Sequence, residues 1–296
     1  MKKILFIGSK EIGEKTLKLI ANKSPESLCG IVTINDENDM RSRKNNIIKI
    51  GENLKIPVFI GGNPEIEKII NLKKPDLALV VGWYKIIPER ILKMVPMGFF
   101  GLHHSLLPKY RGGSPLVWAV INDEKVVGTT LFKLANGIDN GPIFDQKKLE
   151  INEKDYISDI IEKISVLDLE MIEKFIFSVK NDLDLNLKIQ NEKDATYCLQ
   201  RKPDDGKINW NWPIKKCYNF IRAQSKPYPG AFTYFENSKI IIWKASMTNT
   251  IFYGKPGTIV IFNGKLGVIT GDQKLMLLEN IEKLGNDKIK PFKTFY

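Results

Sequence analysis

Histidine is nearly absent from this chain. There are two in 296 residues, and they are neighbours, His103 and His104. Imidazole acid–base chemistry near neutral pH therefore has a single address. Cysteine is scarce as well: Cys29, Cys198 and Cys217 lack both zinc-type spacing and the density of a disulfide framework. A reducing compartment is the expectation, with no metal. No apolar run approaches the ~20 residues a membrane helix needs, so no membrane partner is expected. The opening stretch MKKILFIG reaches Gly8 too soon to read as a signal peptide, and a cytoplasmic location is expected. A dinucleotide fingerprint is missing too. Residues 8–13, GSKEIG, fill two of the three glycine positions of G-x-G-x-x-G, and no acidic residue closes a second strand about twenty residues on. A nicotinamide enzyme is thereby set aside. There is no internal repeat.

What is present is an ordinary globular composition, 43% apolar and 27% charged. The net charge of +11 raises a polyanionic partner such as tRNA. Basic and acidic residues interleave almost everywhere, however, so the excess reads as a Lys- and Asn-rich surface. The periodicity predicts strands at residues 3–8, 28–34, 57–60, 76–82 and 98–102, alternating with short helices at 12–21, 47–54, 65–72 and 88–94. Alternation of this kind builds an α/β, mostly parallel, doubly wound sheet. Further strands are expected at 126–134 and 143–151, a short helix at 115–121, and a long helix within 153–181. Residues 35–46 read as a mobile polar loop and 191–206 as a linker. Beyond them a helix at 213–223 and several short strands suggest a small β-barrel or open sheet. The expected division is 1–190, linker 191–206, and 207–296.

The chemistry concentrates in residues 101–115, GLHHSLLPKYRGGSP, where an apolar run stops and a proline-bearing basic turn follows. This is a strand end feeding a loop, the place where α/β sheets carry their sites. A neutral His103 there can take a proton from an attacking amine or water. Residues 136–142, NGIDNGP, form a second tight loop after the 126–134 strand. Asp139 reads either as a turn former or as a carboxylate that orients His103, and the sequence does not show whether the two strands are adjacent. At the start of the first helix, Ser9 and Lys10 read equally as a plain connection or as a face for an anion. Trp83 and Tyr84 read as core packing or as the lining of a site.

The blocks LHHSLLPKYRG (102–112), PLVW (115–118), GTTL (128–131) and GIDNG (137–141) resemble the N10-formyltetrahydrofolate-dependent formyltransferases in composition, order and spacing. The resemblance continues through DATY (194–197), PDD (203–205), INW (208–210), Arg222 and Ala223, PYPGAF (227–232) and WKA (243–245), nearly the whole chain. It implies a Rossmann-like catalytic domain followed by a smaller OB-like β-barrel domain. The implied reaction passes a formyl group from N10-formyltetrahydrofolate to a primary amine, with His103 as base or oxyanion partner and Asp139 tuning it. The implied folate site matches Gly82, Trp83, Tyr84, Lys85, Ile86 and Ile87, with Leu134 to Asp139 as its walls. One position departs from the pattern. The family usually has asparagine two residues before the histidine, and here that residue is Gly101. Loss of an oxyanion donor typically costs ~10²–10³ in rate unless another group replaces it.

Two acceptors are usual in that family: the methionyl group on initiator tRNA, or an amino sugar carried on a nucleotide. Residues 35–46 occupy the place of the tRNA enzymes' basic insertion, yet mix Arg41, Arg43 and Lys44 with Asp36, Glu37 and Asp39. PLVW and PGAF (229–232) are more similar to the bacterial aminoarabinose formyltransferase domain. The expectation is therefore a nucleotide-linked amino sugar. Ser9, Lys10 and Arg111 are the expected polar contacts, and Trp83 and Tyr84 the lining of the sugar site. A tRNA acceptor is the alternative, and a homodimer is allowed. HHS (103–105) and GPI (141–143) also resemble the formyltetrahydrofolate hydrolases, in which water replaces the amine. A non-catalytic folate or nucleotide binder is the remaining reading.

Overall fold

The structure is a computed structural model and describes residues 2–296. In chain order the elements are β1 (Ile4–Gly8), α1 (Lys10–Lys23), β2 (Leu28–Thr33), α2 (Lys44–Asn53), β3 (Val58–Ile60), α3 (Asn63–Lys73), β4 (Leu77–Val81) and α4 (Glu89–Leu92). There follow β5 (Phe99–His103), β6 (Arg111–Gly112), α5 (Pro115–Ile121), β7 (Val126–Lys133), β8 (Ile143–Glu150), α6 (Ile157–Lys180) and β9 (Tyr197–Cys198). The last elements are α7 (Ile214–Gln224), β10 (Ala231–Phe235), β11 (Ser238–Ile251), β12 (Ile259–Phe262), β13 (Lys265–Ile269) and β14 (Lys274–Leu284). They group into two compact units.

The first unit contains a seven-stranded sheet in the order β3-β2-β1-β4-β5-β7-β8. From β3 to β5 every pairing is parallel, and β7 then joins β5 antiparallel. The parallel part follows from the sequence. β1 and β4 are unbroken apolar runs, buried throughout, as strands covered on both faces must be. Alternation along β1 sends Ile4 and Phe6 into one core layer and Leu5 and Ile7 into the other. The first layer adds Leu17 and Ile20 of α1 and Met171, Ile172 and Phe175 of α6. The second adds Ile66, Ile69 and Ile70 of α3 and Ile91 of α4. Each such side chain contributes about 1.5–3 kcal/mol on burial.

The two compact units are not contiguous stretches of the chain. The second unit takes residues 112–127, 150–162 and 198–296, so it draws two segments from the first half of the sequence. The reason is packing and pairing inside that unit. α5 has five of its seven residues buried and lies on α7, Asn219 of α7 donates to the Asp123 carboxylate, and the Tyr156 hydroxyl meets the Ala245 backbone. Nor are residues 191–206 a free linker. They hold two 3-10 turns and β9.

The second unit carries a five-stranded antiparallel sheet in the order β10-β11-β14-β13-β12. That order leaves β10 and β12 as edges of a separate antiparallel sheet, whose strand pairing does not by itself close the expected OB-like barrel. The C-terminal residues hydrogen-bond to both edges. Tyr234 and Tyr296 exchange backbone hydrogen bonds on the β10 side, while Ile259 donates to the Lys293 carbonyl and Phe295 to that of Gly257 on the β12 side. Unpaired edges invite pairing with other chains, and a short capping segment removes that exposure. Phe295 anchors the segment: it is 2% exposed, stacked on Trp210 at 6.2 Å between ring centroids, and meets Phe235 edge-on. Burial pushes the Cys217 thiol up to about 12, which leaves it an inert core residue.

Phe295→Ala is expected to lower the unfolding free energy by about 3–5 kcal/mol, the usual range for emptying a buried phenylalanine site. Chemical denaturation checks it; a loss below 1 kcal/mol would show that the C-terminal residues do not secure the sheet.

Candidate active site

The site lies in the first unit, at the carboxyl ends of β1, β4 and β5. Gly82 ends β4 with φ +67, and a Cβ there would come 2.1 Å from the Ser9 carbonyl oxygen. Glycine is what lets the exits of β1 and β4 lie this close. The Ser9 amide donates to the Val81 carbonyl and its hydroxyl to the Gly82 carbonyl at 2.5 Å.

β5 delivers His103 at its last position, opposite Thr130 of β7. The adjacency of strands that the sequence left open is therefore present, and β7 runs on into the loop that bears Asp139. His103 is 8% exposed. Its Nε2 lies 2.7 Å from the Tyr110 carbonyl oxygen and its Nδ1 3.4 Å from Asp139 Oδ2. A carbonyl only accepts, so Nε2 carries the hydrogen in both charge states and Nδ1 is the atom that titrates. Burial holds the imidazole below its ordinary value, against the opposing pull of the Asp139 carboxylate and the Tyr110 carbonyl, and His104 adds to the lowering. His103 is neutral at pH 7, with a basic nitrogen and a carboxylate side by side. At 3.4 Å the two acceptors are too far apart to share a good hydrogen bond and close enough to receive the N–H groups of one incoming amine.

The Asp139 loop is held from behind. Gln190 donates through Nε2 to the carbonyls of Asp139 (2.8 Å) and Gly141 (2.7 Å), and its Oε1 accepts from Arg111 Nε and Nη2. Arg111 also grips Glu192 through both terminal nitrogens and donates to the Tyr197 hydroxyl. Its side chain is 1% exposed. Arg111, expected at the substrate, is turned inward here as a buried brace for the Asp139 loop. Motif position suggested a site role, but which way the side chain faces depends on residues about eighty positions later.

The second histidine has a separate partner. His104 Nε2 lies 3.0 Å from Asp168 Oδ2, and the Thr129 hydroxyl donates to Asp168 Oδ1 at 2.6 Å. Burial opposes charge on His104, but the Asp168 carboxylate and its hydrogen bond outweigh it and raise the imidazole above its ordinary value. Sequence reasoning missed Asp168. A signal existed: the residue stands at the i, i+4 spacing between Ile164 and Ile172, a lone carboxylate on an apolar helix face, and Asp168 is 0% exposed.

The residues expected to hold the folate are partly brought together. Trp83, Ile87 and Leu134 pack in one apolar cluster with Val80 and Phe99. The Trp83 indole nitrogen and Asn140 Oδ1 are buried without a hydrogen-bond partner within the protein. Tyr84, Lys85 and Ile86 are exposed, Ile86 at 88%. A Cβ at Gly101 would lie 3.2 Å from Leu134 Cδ2 and 3.3 Å from the Val80 oxygen, so the space beside the cluster is closely fitted to glycine.

Lys10 and Ser9 are engaged elsewhere than expected. Lys10 Nζ pairs with Asp36 at 2.5 Å and Asp39 at 2.8 Å and lies 5.0 Å from the Tyr84 ring centroid. Arg41 binds Asp39, Lys44 binds Glu37 and Arg43 approaches Glu14 at 3.4 Å. The loop expected to be mobile is laced by these ion pairs. Among the described residues, no group of three or more His, Cys, Asp or Glu is placed to hold a metal ion, and no helix is long and apolar enough to cross a membrane.

A buried neutral imidazole beside a carboxylate, at the carboxyl edge of a mostly parallel sheet, is an arrangement suited to proton transfer. Residues 3–176 match the formyl transferase family and residues 201–295 match the formyl transferase C-terminal domain. The chain belongs to the formyl transferase family, and it is an enzyme of that class. It is 37% identical over 270 residues to the bifunctional polymyxin resistance protein ArnA of Wigglesworthia glossinidia brevipalpis, covering 88% of this chain but 40% of that relative's length. It is 32% identical over 299 residues to a methionyl-tRNA formyltransferase of Thermodesulfovibrio yellowstonii, covering 99% of this chain and 94% of the relative. Among solved structures it resembles an N-formyltransferase of Helicobacter canadensis, crystallised with folinic acid and dTDP-3-aminofucose. There the TM-score is 0.70 at 22% identity, over 94% of this chain and 99% of that one.

Asp168→Asn is expected to lower the titration midpoint of His104, because the charge that raises it is gone. An NMR pH titration of the two histidines reads this directly. An unmoved His104 midpoint would show that Asp168 is not its counter-charge.

Proposed function

We propose that the chain transfers a formyl group from N10-formyltetrahydrofolate to the primary amine of a nucleotide-linked amino sugar. The observation that carries the chemistry is the pairing of His103 Nδ1 with the Asp139 carboxylate while Nε2 is occupied by a carbonyl. The amine lone pair attacks the formyl carbon, and a C–N bond forms as the carbonyl π pair moves to oxygen. The proton released by the amine passes to His103 Nδ1, and Asp139 stabilises the imidazolium that results. Collapse of the tetrahedral intermediate breaks the bond to N10. The same Nδ1 proton then leaves with tetrahydrofolate, and the neutral base is restored. Trp83, Ile87 and Leu134 offer the apolar wall for the flat pterin, with the indole N–H as a polar contact.

A sugar acceptor is favoured by the ion pairs of residues 36–44. RNA backbone binding needs cations free to neutralise phosphates. Lys10, Arg41, Arg43 and Lys44 each face a carboxylate of this chain instead. The resemblance to a crystallised sugar-type enzyme points the same way. A tRNA acceptor is the second reading, supported by full-length similarity to a methionyl-tRNA formyltransferase and by the net charge of +11.

The deciding assay supplies N10-formyltetrahydrofolate with a panel of nucleotide-linked amino sugars and with methionyl initiator tRNA. Formylation of a sugar and not of the tRNA is expected; the reverse would establish the tRNA reading, and formate release without an amine would mark a hydrolase. His103→Ala is expected to slow transfer by ~10²–10⁴, the usual contribution of a general base, with an unchanged circular dichroism spectrum. Asp139→Asn is expected to lower kcat more than it raises KM for the donor.

The pH dependence follows from the depressed imidazole. A lowered value keeps the base neutral as the pH falls, so the acid limb of kcat/KM is expected below the ordinary histidine value of 6.5. A limb above 6.5 in the pH–rate profile would contradict the assignment of His103 as the base.

A further inference from the structure

We propose that the second unit carries its own binding pocket for a nucleoside phosphate, apart from the His103 site. A cavity of about 630 Å³ opens beside α5 and α7, and every residue lining it belongs to that unit. Its size falls in the range of small-molecule sites.

The lining combines flat apolar surface with concentrated positive charge. Trp118 is half-buried and fixed in orientation, its indole N–H donating to the Leu199 carbonyl at 2.8 Å. Leu199 itself is 81% exposed, an apolar side chain with nothing over it. The Arg201 guanidinium sits 4.9 Å from the Trp118 ring centroid and 5.4 Å from that of Phe220. One of its nitrogens, Nη2, donates to the Asp205 carbonyl and to Gln224 Oε1. Its Nε and Nη1 have no acceptor among the described residues, and the Asp205 carboxylate is the charge that acts on it. Burial pulls Arg201 below its ordinary value, which marks a cation that would gain from an anionic partner. Lys216 Nζ lies 4.7 Å from the Trp212 ring centroid, and Lys202 and Lys207 stand exposed at the rim. Asp205 is the one carboxylate in the lining, against these four cations.

A guanidinium with open donors held against an aromatic ring is suited to phosphate, which it binds in a fork. Indole and leucine surface beside it suits a flat heterocycle. Together they describe a ligand with an aromatic base at one end and phosphate at the other. The cavity has the size of a single small-molecule site, whereas a nucleic-acid backbone calls for a row of cations along a strip. The inference needs nothing from the catalytic reading, since the two sites share no residue.

The test is calorimetric titration of the intact protein with UDP and with ADP, and with uridine and pyrophosphate as the two halves of the ligand. Labelling with dialdehyde-oxidised UDP and peptide mapping then locates the site. The diphosphates are expected to bind, each half at least tenfold more weakly, with label on Lys207 or Lys216. Lys216→Glu, an exposed change that spares the core, is expected to weaken binding at this pocket at least tenfold and abolish the label in the second unit. His103→Ala is expected to leave both unchanged. Arg201→Gln, checked for retained fold by circular dichroism, is expected to act as Lys216→Glu does. Unaltered binding in folded Lys216→Glu and Arg201→Gln proteins, label confined to the first unit, or capture of RNA with no binding of either diphosphate would each overturn the proposal. Formyl transfer in Lys216→Glu separates the two conclusions: failure of the pocket leaves the His103 chemistry standing, and failure of that chemistry leaves the pocket standing.

Discussion

The antiparallel pairing of β5 with β7 is the constraint on which the site depends. Five of the seven strands of the main sheet run parallel, and their exits all point the same way. A sixth strand added parallel would have delivered another exit at that edge and sent its following loop elsewhere. β7 instead runs back along β5, with Leu131 opposite Leu102 and Lys133 opposite Phe100. The loop that follows it is held by Gln190 and Arg111, and its carboxylate comes to rest beside the His103 imidazole. The His103–Asp139 geometry is a result of strand register, because a slip of one residue would turn His103 to the opposite face.

Two consecutive histidines in this frame are shifted in opposite directions. His103 meets a carbonyl on one nitrogen and a carboxylate at a distance on the other, inside a buried pocket, and burial wins. His104 meets Asp168 directly, with Thr129 satisfying the other carboxylate oxygen, and the ion pair wins. The result is an imidazole held below its ordinary value next to one held above it, and His104 adds to the lowering of His103. Separate environments imposed on identical side chains are a common way for a protein to assign acid and base roles.

Charge bookkeeping at the level of the whole chain misleads in the same way that local pairing informs. The net charge of +11 suggests affinity for any polyanion. Around the start of α1 and the loop after β2, that excess is cancelled ion by ion. In the second unit Arg201, Lys202, Lys207 and Lys216 line one aromatic cavity with a single carboxylate, Asp205. Where a cation stands relative to a carboxylate therefore matters more than the total.

The alternating strands and helices of the first half were legible from sequence because each uses one periodicity for one job. Parallel strands buried on both faces read as solid apolar runs, and amphipathic helices as three-to-four spacing. The histidine pair, the Asp139 loop and the family pattern were legible because they are short and contiguous. Three things were decided only by the tertiary structure: the inward turn of Arg111 onto Gln190 and Glu192, the partnership of His104 with Asp168, and the assignment of residues 112–127 and 150–162 to the second unit. Each depends on groups dozens of positions apart whose approach is set by sheet order and helix packing. Local sequence carries the information for a turn or a strand; which side chains then face each other is settled by how those elements cover one another's apolar surfaces.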